Sequence, residues 1–207
     1  MKKVLSLALA AVLTLSLAAC GSEKNGSASG GESSSPVSSA QVSGLTEAIA
    51  ETPAIITSAG QSADASMLSA ILDKAGFACD IETNLTADNF DPSAYKTLII
   101  GVGGSQKGLG AAGVDAEVEQ ARVDAVIAEA EEAGMTIIVA HIGGQARRGE
   151  LSDGFIEAVS PKADYLLVVA GGNDDGLFTQ IAADNSIPMD TVENLADVGT
   201  VLMEAFK

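Results

Sequence analysis

The sequence predicts an α/β protein, a three-layer, mostly parallel open sheet in flavodoxin-like or Rossmann-like order. Three observations predict it. Short apolar or β-branched runs each lead into glycine or small polar residues, amphipathic segments with recognisable caps separate those runs, and strand and helix alternate to the end of the chain. Continuous apolar runs suit parallel strands covered on both faces, and their alternation with helices requires crossovers, which are right-handed.

Residues 54–57 (AIIT) are the first strand and lead to Ser58, Ala59, Gly60, Gln61 and Ser62. Ser62 can cap a helix whose apolar face is Met67, Leu68, Ile71, Leu72 and Ala75, stopped at Gly76. Residues 77–81 form a weaker strand, and residues 97–100 (TLII) a strong one that leads to GVGGS. Asp115 can cap a helix carrying Val118, Ala121, Ala125, Ile127 and Ala130, ended by Gly134. Residues 136–140 (TIIVA) lead to the loop HIGGQARRGELS, and Ser152 starts a shorter helix through Phe155, Ile156 and Val159, ended by Ser160 and Pro161. Residues 165–169 lead to AGGNDDG, where Asp174 or Asp175 begins a helix through Phe178, Ile181 and Ala182. Residues 187–189 are a second weak strand, and a last helix covers residues 194–206. The preferred strand order is 2-1-3-4-5 with a short sixth strand at an edge; a six-stranded Rossmann-like order is the alternative.

Ahead of this domain the chain reads as an address and a tether. Lys2 and Lys3 precede an apolar stretch too short for a membrane span, which needs about 20 residues, and the stretch ends in Leu17-Ala18-Ala19-Cys20. That ending resembles the bacterial lipobox, so residues 1–19 are expected to be a lipoprotein signal and Cys20 the acylated first residue. The expected place is the extracytoplasmic face of the cell membrane, with the bilayer as a partner through the lipid on Cys20. Residues 20–44, rich in serine and glycine, are a tether with a random-coil reach of roughly 25 to 30 Å. Residues 45–207 suit a single domain. Acylation of Cys20 leaves Cys79 without a disulfide partner, and its place between Ala78 and Asp80 makes it a small buried hydrophobe. A formal net charge of −17 repels nucleic acid and anionic lipid heads, which argues against partners reached through phosphate backbones.

In such a sheet the strand-to-helix loops open on one edge, at the C-terminal ends of the strands. That edge would gather Ser58, Gln61 and Ser62 from the first loop and Ser105 and Lys107 from the second. His141, Gln145, Arg147 and Arg148 would come from the third, and Asn173 from the fourth. His141 is the only histidine, and Arg147 and Arg148 are two of the three arginines. Scarce cations, hydroxyls and amides among glycines that admit close backbone approach suit a small anion. The competing reading pairs Arg147 and Arg148 with Glu150, Asp153 or another surface carboxylate and makes His141 an anchor of its own loop.

Chemistry is less legible. The glycines of GVGGSQKGLG match neither the dinucleotide fingerprint nor a P-loop, no serine lies in G-x-S-x-G, and one histidine with Asp174 and Asp175 is not a metal ligand set. No cofactor, metal or catalytic residue is expected from these motifs.

The wording of four segments carries a resemblance. ITSAGQSAD, GGSQKGLGAAGVD, HIGGQARRGELSD and GGNDDGLFTQIA together resemble an uncharacterised family, a domain of unknown function, of exported or lipid-anchored α/β proteins from anaerobic, mostly Gram-positive bacteria. The resemblance implies compartment and fold and lends no catalytic role to any residue. The function expected from the residues is recognition of a small anionic solute at the loop edge, with presentation to a membrane transporter as one use. An extracytoplasmic hydrolase of a small ester, amide or phosphate, or a cell-envelope scaffold, is the alternative.

Overall fold

The computed structural model describes residues 42–207. The expected signal, Cys20 and all but the last residues of the tether lie outside them. Six strands form one sheet: β1 (Ala54–Ala59), β2 (Asp80–Ile81), β3 (Thr97–Val102), β4 (Thr136–His141), β5 (Tyr165–Val169) and β6 (Met189–Val192). All neighbours are parallel and the order is β2-β1-β3-β4-β5-β6, the flavodoxin-like order with a sixth strand at the edge. The helices are α1 (Asp64–Lys74), α2 (Gln106–Ala112), α3 (Ala116–Glu132), α4 (Glu150–Val159), α5 (Leu177–Asn185) and α6 (Val198–Glu204).

Side chains alternate along each strand, so the sheet buries two separate cores. Ile55, Leu98, Ile100, Ile137, Val139 and Leu166 face Val123, Val126, Ile156 and Phe178 from α3, α4 and α5. Ile56, Ile99, Ile138, Ala140 and Leu167 face Leu68, Leu72, Val198 and Leu202 from α1 and α6. Right-handed crossovers distribute the helices this way once the strand order reverses between β1 and β3.

Several elements differ from expectation, each for a local reason. The second strand shrinks from residues 77–81 to Asp80–Ile81, because Phe77 packs tilted against Phe206 with ring centroids 4.5 Å apart and Cys79 is only half-buried against that core. The sixth strand begins two residues later than its apolar signal, since Ile187 packs into the core before pairing begins. The buried stripe of α3 is Glu119, Val123, Val126, Ile127 and Ala130, not the stripe through Val118, Ala121 and Ala125; Val118 is 52% exposed. Ser58 lies within β1 rather than after it. α1 starts at Asp64 with Ala63 at its cap, and Ser62 accepts from the Asp64 amide at 3.2 Å. Gly149 caps α4, so Ser152 sits inside its first turn, and α5 begins at Leu177 after Gly176 rather than at Asp174 or Asp175. Ser105 caps α2, a helix the glycines of QKGLGAA conceal.

The opposite, N-terminal edge of the sheet is bound by a strap. Ser43 O accepts from Met189 N (3.0 Å), Leu45 N donates to Asp190 (3.1 Å), and Thr136 Oγ1 donates to Ile49 O (3.3 Å). Thr97 Oγ1 donates to Glu51 O at 2.7 Å, and the chain then enters β1. Residues 43–53 thus cross the feet of β6, β4 and β3, while Ile49 N and Ala50 N donate to Ala205 O beyond α6.

Candidate functional site

The first two edge loops are welded to each other. Gly103 N donates to Ala59 O (2.9 Å), Ser105 N donates to Gly60 O (2.8 Å), and Gln61 forms an antiparallel bridge with Gly104. Gly60 has φ +92°, and a Cβ there would lie 2.6 Å from Gly103 O, so only glycine allows the approach. Backbone hydrogen bonds therefore tie together the two loops that flank the switch point between β1 and β3, where open α/β sheets ordinarily hold ligands.

A buried brace supports that weld. Glu119 is 1% exposed; its Oε1 accepts from Gly60 N (3.0 Å) and from the Gln61 amide (3.1 Å). Arg122 answers with Nε to Oε2 and Nη2 to Oε1, both 2.8 Å, and also donates from Nη2 to Ser58 O and from Nη1 to Leu85 O. Two bonds between planar groups and two to carbonyls satisfy a buried ion pair that would otherwise cost more in desolvation than it gains. Gln61 belongs to this brace. Glu119 is legible in retrospect as a carboxylate on an otherwise apolar stripe at helical spacing.

The third and fourth loops form a second unit around His141, which is fully buried. Its Nδ1 lies 2.9 Å from Val102 O and its Nε2 lies 3.2 Å from Gly144 O. The ring packs 5.3 Å from Phe178, and a Cβ on Gly172 would sit 2.4 Å from its Cδ2. Carbonyl oxygens only accept, so both contacts become hydrogen bonds only when the ring carries two protons. His141 anchors its loop, and among the described residues no hydroxyl hydrogen-bonds either ring nitrogen.

Arg148 is committed within this unit as well. Nε donates to Asp153 (2.6 Å), Nη1 and Nη2 reach the two oxygens of Asp175 (both 2.9 Å), and Nη1 also donates to Gly172 O. Its guanidinium lies 5.9 Å from the Phe178 ring. The two carboxylates raise the Arg148 pKa beyond its ordinary value, and Arg148 in turn holds Asp175 below the usual carboxylate range. Asn173 caps α5, accepting from Phe178 N (2.9 Å) and Thr179 N (3.3 Å) and donating to Thr179 Oγ1 (2.8 Å). Ser105 accepts from Gly108 N at 3.0 Å, and the Ser58 hydroxyl is buried without a partner.

Three of the expected residues keep their polar ends uncommitted. Lys107 and Gln145 are exposed, and Arg147 is half-buried with its stem folded over Gly143. Of the three arginines, Arg147 alone makes no ion pair or side-chain hydrogen bond among the described residues. Beneath it lies Asp64, which the sequence reading missed because an acid in a first helical turn reads as a helix start. Burial pushes the Asp64 carboxyl above the usual range, while His141, Arg147 and the Gly143 and Ile142 amides draw it down. A nearby cleft of about 600 Å³, at the N-terminal ends of α3 and α4, holds none of the expected residues and carries Glu117 and Glu150 at its rim.

Fold and edge together define a flavodoxin-order α/β domain whose C-terminal loops are locked into two braced units with a cation above a buried carboxylate. The chain belongs to the family described as Domain of unknown function (DUF6305), whose model matches residues 51–206. No curated protein matches it. A similar solved structure is that of the psychrotrophic esterase EstA from Pseudoalteromonas sp., inhibited by monoethylphosphonate. It is 13% identical, with 67% of this chain and 76% of that chain covered and a TM-score of 0.31, a likeness too slight to speak to activity.

Proposed function

We propose that the protein is a lipid-anchored, extracytoplasmic recognition domain that binds a small anionic solute at Arg147, on the C-terminal edge of its sheet. The observation that carries this reading is the uncommitted guanidinium of Arg147 in a chain of 28 acidic residues, beside loops in which Gln61, Ser105, His141, Arg148 and Asn173 are engaged internally. Lys107 and Gln145, exposed on the same edge, are available to a ligand's remaining oxygens. Binding there serves either capture or delivery to a membrane transporter. The hydrolase reading is the weaker one, because His141 faces carbonyl oxygens and the hydroxyls of Ser58 and Ser105 are buried or capping.

Attachment fits the same picture. The Leu17-Ala18-Ala19-Cys20 ending supports acylation, and chain joined at residue 42 enters the domain on the edge opposite the loops. A thermal-shift screen of small anions against wild type and Arg147→Ala tests the binding. Stabilisation of wild type by an anion, lost in the variant, is expected; no stabilisation by any anion sinks the reading in favour of a scaffold. Incorporation of a palmitate analogue, lost in Cys20→Ala, is expected of the anchor, and equal incorporation in both contradicts it.

A further inference from the structure

Asp64 is a buried ionisable group for which the anion reading has no use. Its side chain is 1% exposed, and neither carboxylate oxygen accepts a well-formed hydrogen bond, although the Ile142 and Gly143 amides act on it from close by. Such a group is rare in a native structure and calls for an explanation. Two basic side chains flank it. Nδ1 of His141 lies 3.9 Å from Oδ2 but is turned to Val102 O at 2.9 Å. Arg147 comes close over Gly143: a Cβ built on Gly143 would lie 2.1 Å from Arg147 Cγ and 3.2 Å from Asp64 Oδ1, so arginine stem and carboxylate converge on one α-carbon. From β4 and the loop after it, His141 and Arg147 are the titratable and charged groups that face Asp64; β3 presents Gly101 and Gly103.

We propose that Asp64 is a built-in competitor for Arg147, so that the edge holds an oxyanion weakly while Asp64 is ionised and tightly once Asp64 takes up a proton. The proposal rests on Arg147 as the anion-binding group. Ionised, Asp64 weakens the positive potential at the guanidinium and repels a second anion. Protonated from solvent, it leaves Arg147 its full charge, and by linkage a bound oxyanion favours protonation of Asp64 to the same degree. The ligand class is a small oxyanion, sulfate or carboxylate in type.

Sulfate is the probe, because its charge is constant over the range. Calorimetric titration of the full chain at about pH 8 and about pH 5 is expected to show an affinity gain of about tenfold in wild type. Asp64→Asn is expected to bind at the higher pH as wild type does at the lower, with no slope between them. An equal slope in Asp64→Asn overturns the proposal. A second arm needs no ligand and no altered Asp64: the ¹³C titration of the Asp64 carboxyl in wild type and Arg147→Gln. Its midpoint is expected to rise when Arg147 is lost; an unmoved midpoint overturns the competition. Absence of sulfate binding together with a moved midpoint removes the Arg147 binding reading but leaves the Asp64–Arg147 coupling standing.

Discussion

At the scale of single residues, the molecule concentrates its unusual electrostatics at Asp64. Because burial raises its carboxyl in the native state above the unfolded value, the protonated form favours folding. That contribution is fully present below the unfolded value and is lost as pH rises through the native one. Asp64→Asn cannot ionise, so at about pH 8 it should be more stable than wild type by about 1–3 kcal/mol, with the gap closing toward about pH 4. Urea unfolding at both values reads this directly, and a variant less stable at the higher pH would show that the carboxylate is well satisfied. Asp64 was illegible in the sequence for a physical reason: its neighbours, Gly143 and His141, are about 80 residues away, and only the pairing of β1 with β3 and β3 with β4 brings them together. Arg147 and Arg148 are adjacent and chemically identical, yet one is engaged and the other is not. Only the turn Gln145–Arg147, which aims consecutive side chains in different directions, separates them.

At the scale of elements, capping and stripe logic recovered most helices and missed where polar groups took apolar places. Asp115 caps α3 as its spacing indicates, accepting from Val118 N at 2.9 Å, and Gly134 ends it with φ +67°. The buried face nevertheless begins at Glu119, because α3 supplies the carboxylate that welds the first loop to the second. Removing it in Glu119→Ala leaves Arg122 partly buried and unpaired and should cost about 3–5 kcal/mol. Denaturant unfolding would measure this, and a loss under about 1 kcal/mol would mean water satisfies the Arg122 guanidinium without Glu119. Arg148 ties α4 to the loop before α5 with more exposed partners, the Asp175 side chain being 60% exposed. Arg148→Ala should therefore cost less, about 1–2 kcal/mol after solvent screening, with faster hydrogen exchange over residues 170–176. Unchanged exchange there would show that His141 and Asn173 hold the loop without it.

At the scale of the whole molecule, the two edges of the sheet have opposite characters. The N-terminal edge is strapped by residues 43–53 and clasped by Asp190, which accepts from Leu45 N (3.1 Å) and from the Tyr165 hydroxyl (3.0 Å). Asp190→Ala should free the strap's beginning, raise proteolysis near residue 45 and cost about 1–3 kcal/mol through the unpaired buried hydroxyl. An unchanged cleavage pattern would locate the strap's hold at Thr97 and Thr136 instead. The strong strands and their parallel pairing were readable from continuous apolar runs, because burial on both faces of a parallel sheet leaves that mark in sequence; the strand order was a preference between two, and the structure has the flavodoxin-like one. The strap and the loop welds were not, because they are made by backbone groups that any residue carries. The C-terminal edge is where a cation stands uncommitted, and the account's central claim is that it is there to meet an anion. Anomalous diffraction from a crystal soaked in selenate measures that most directly. The account predicts a selenium peak within hydrogen-bonding distance of the Arg147 guanidinium that is absent in Arg147→Ala; peaks confined to lysines at lattice contacts, with none at Arg147, would contradict it.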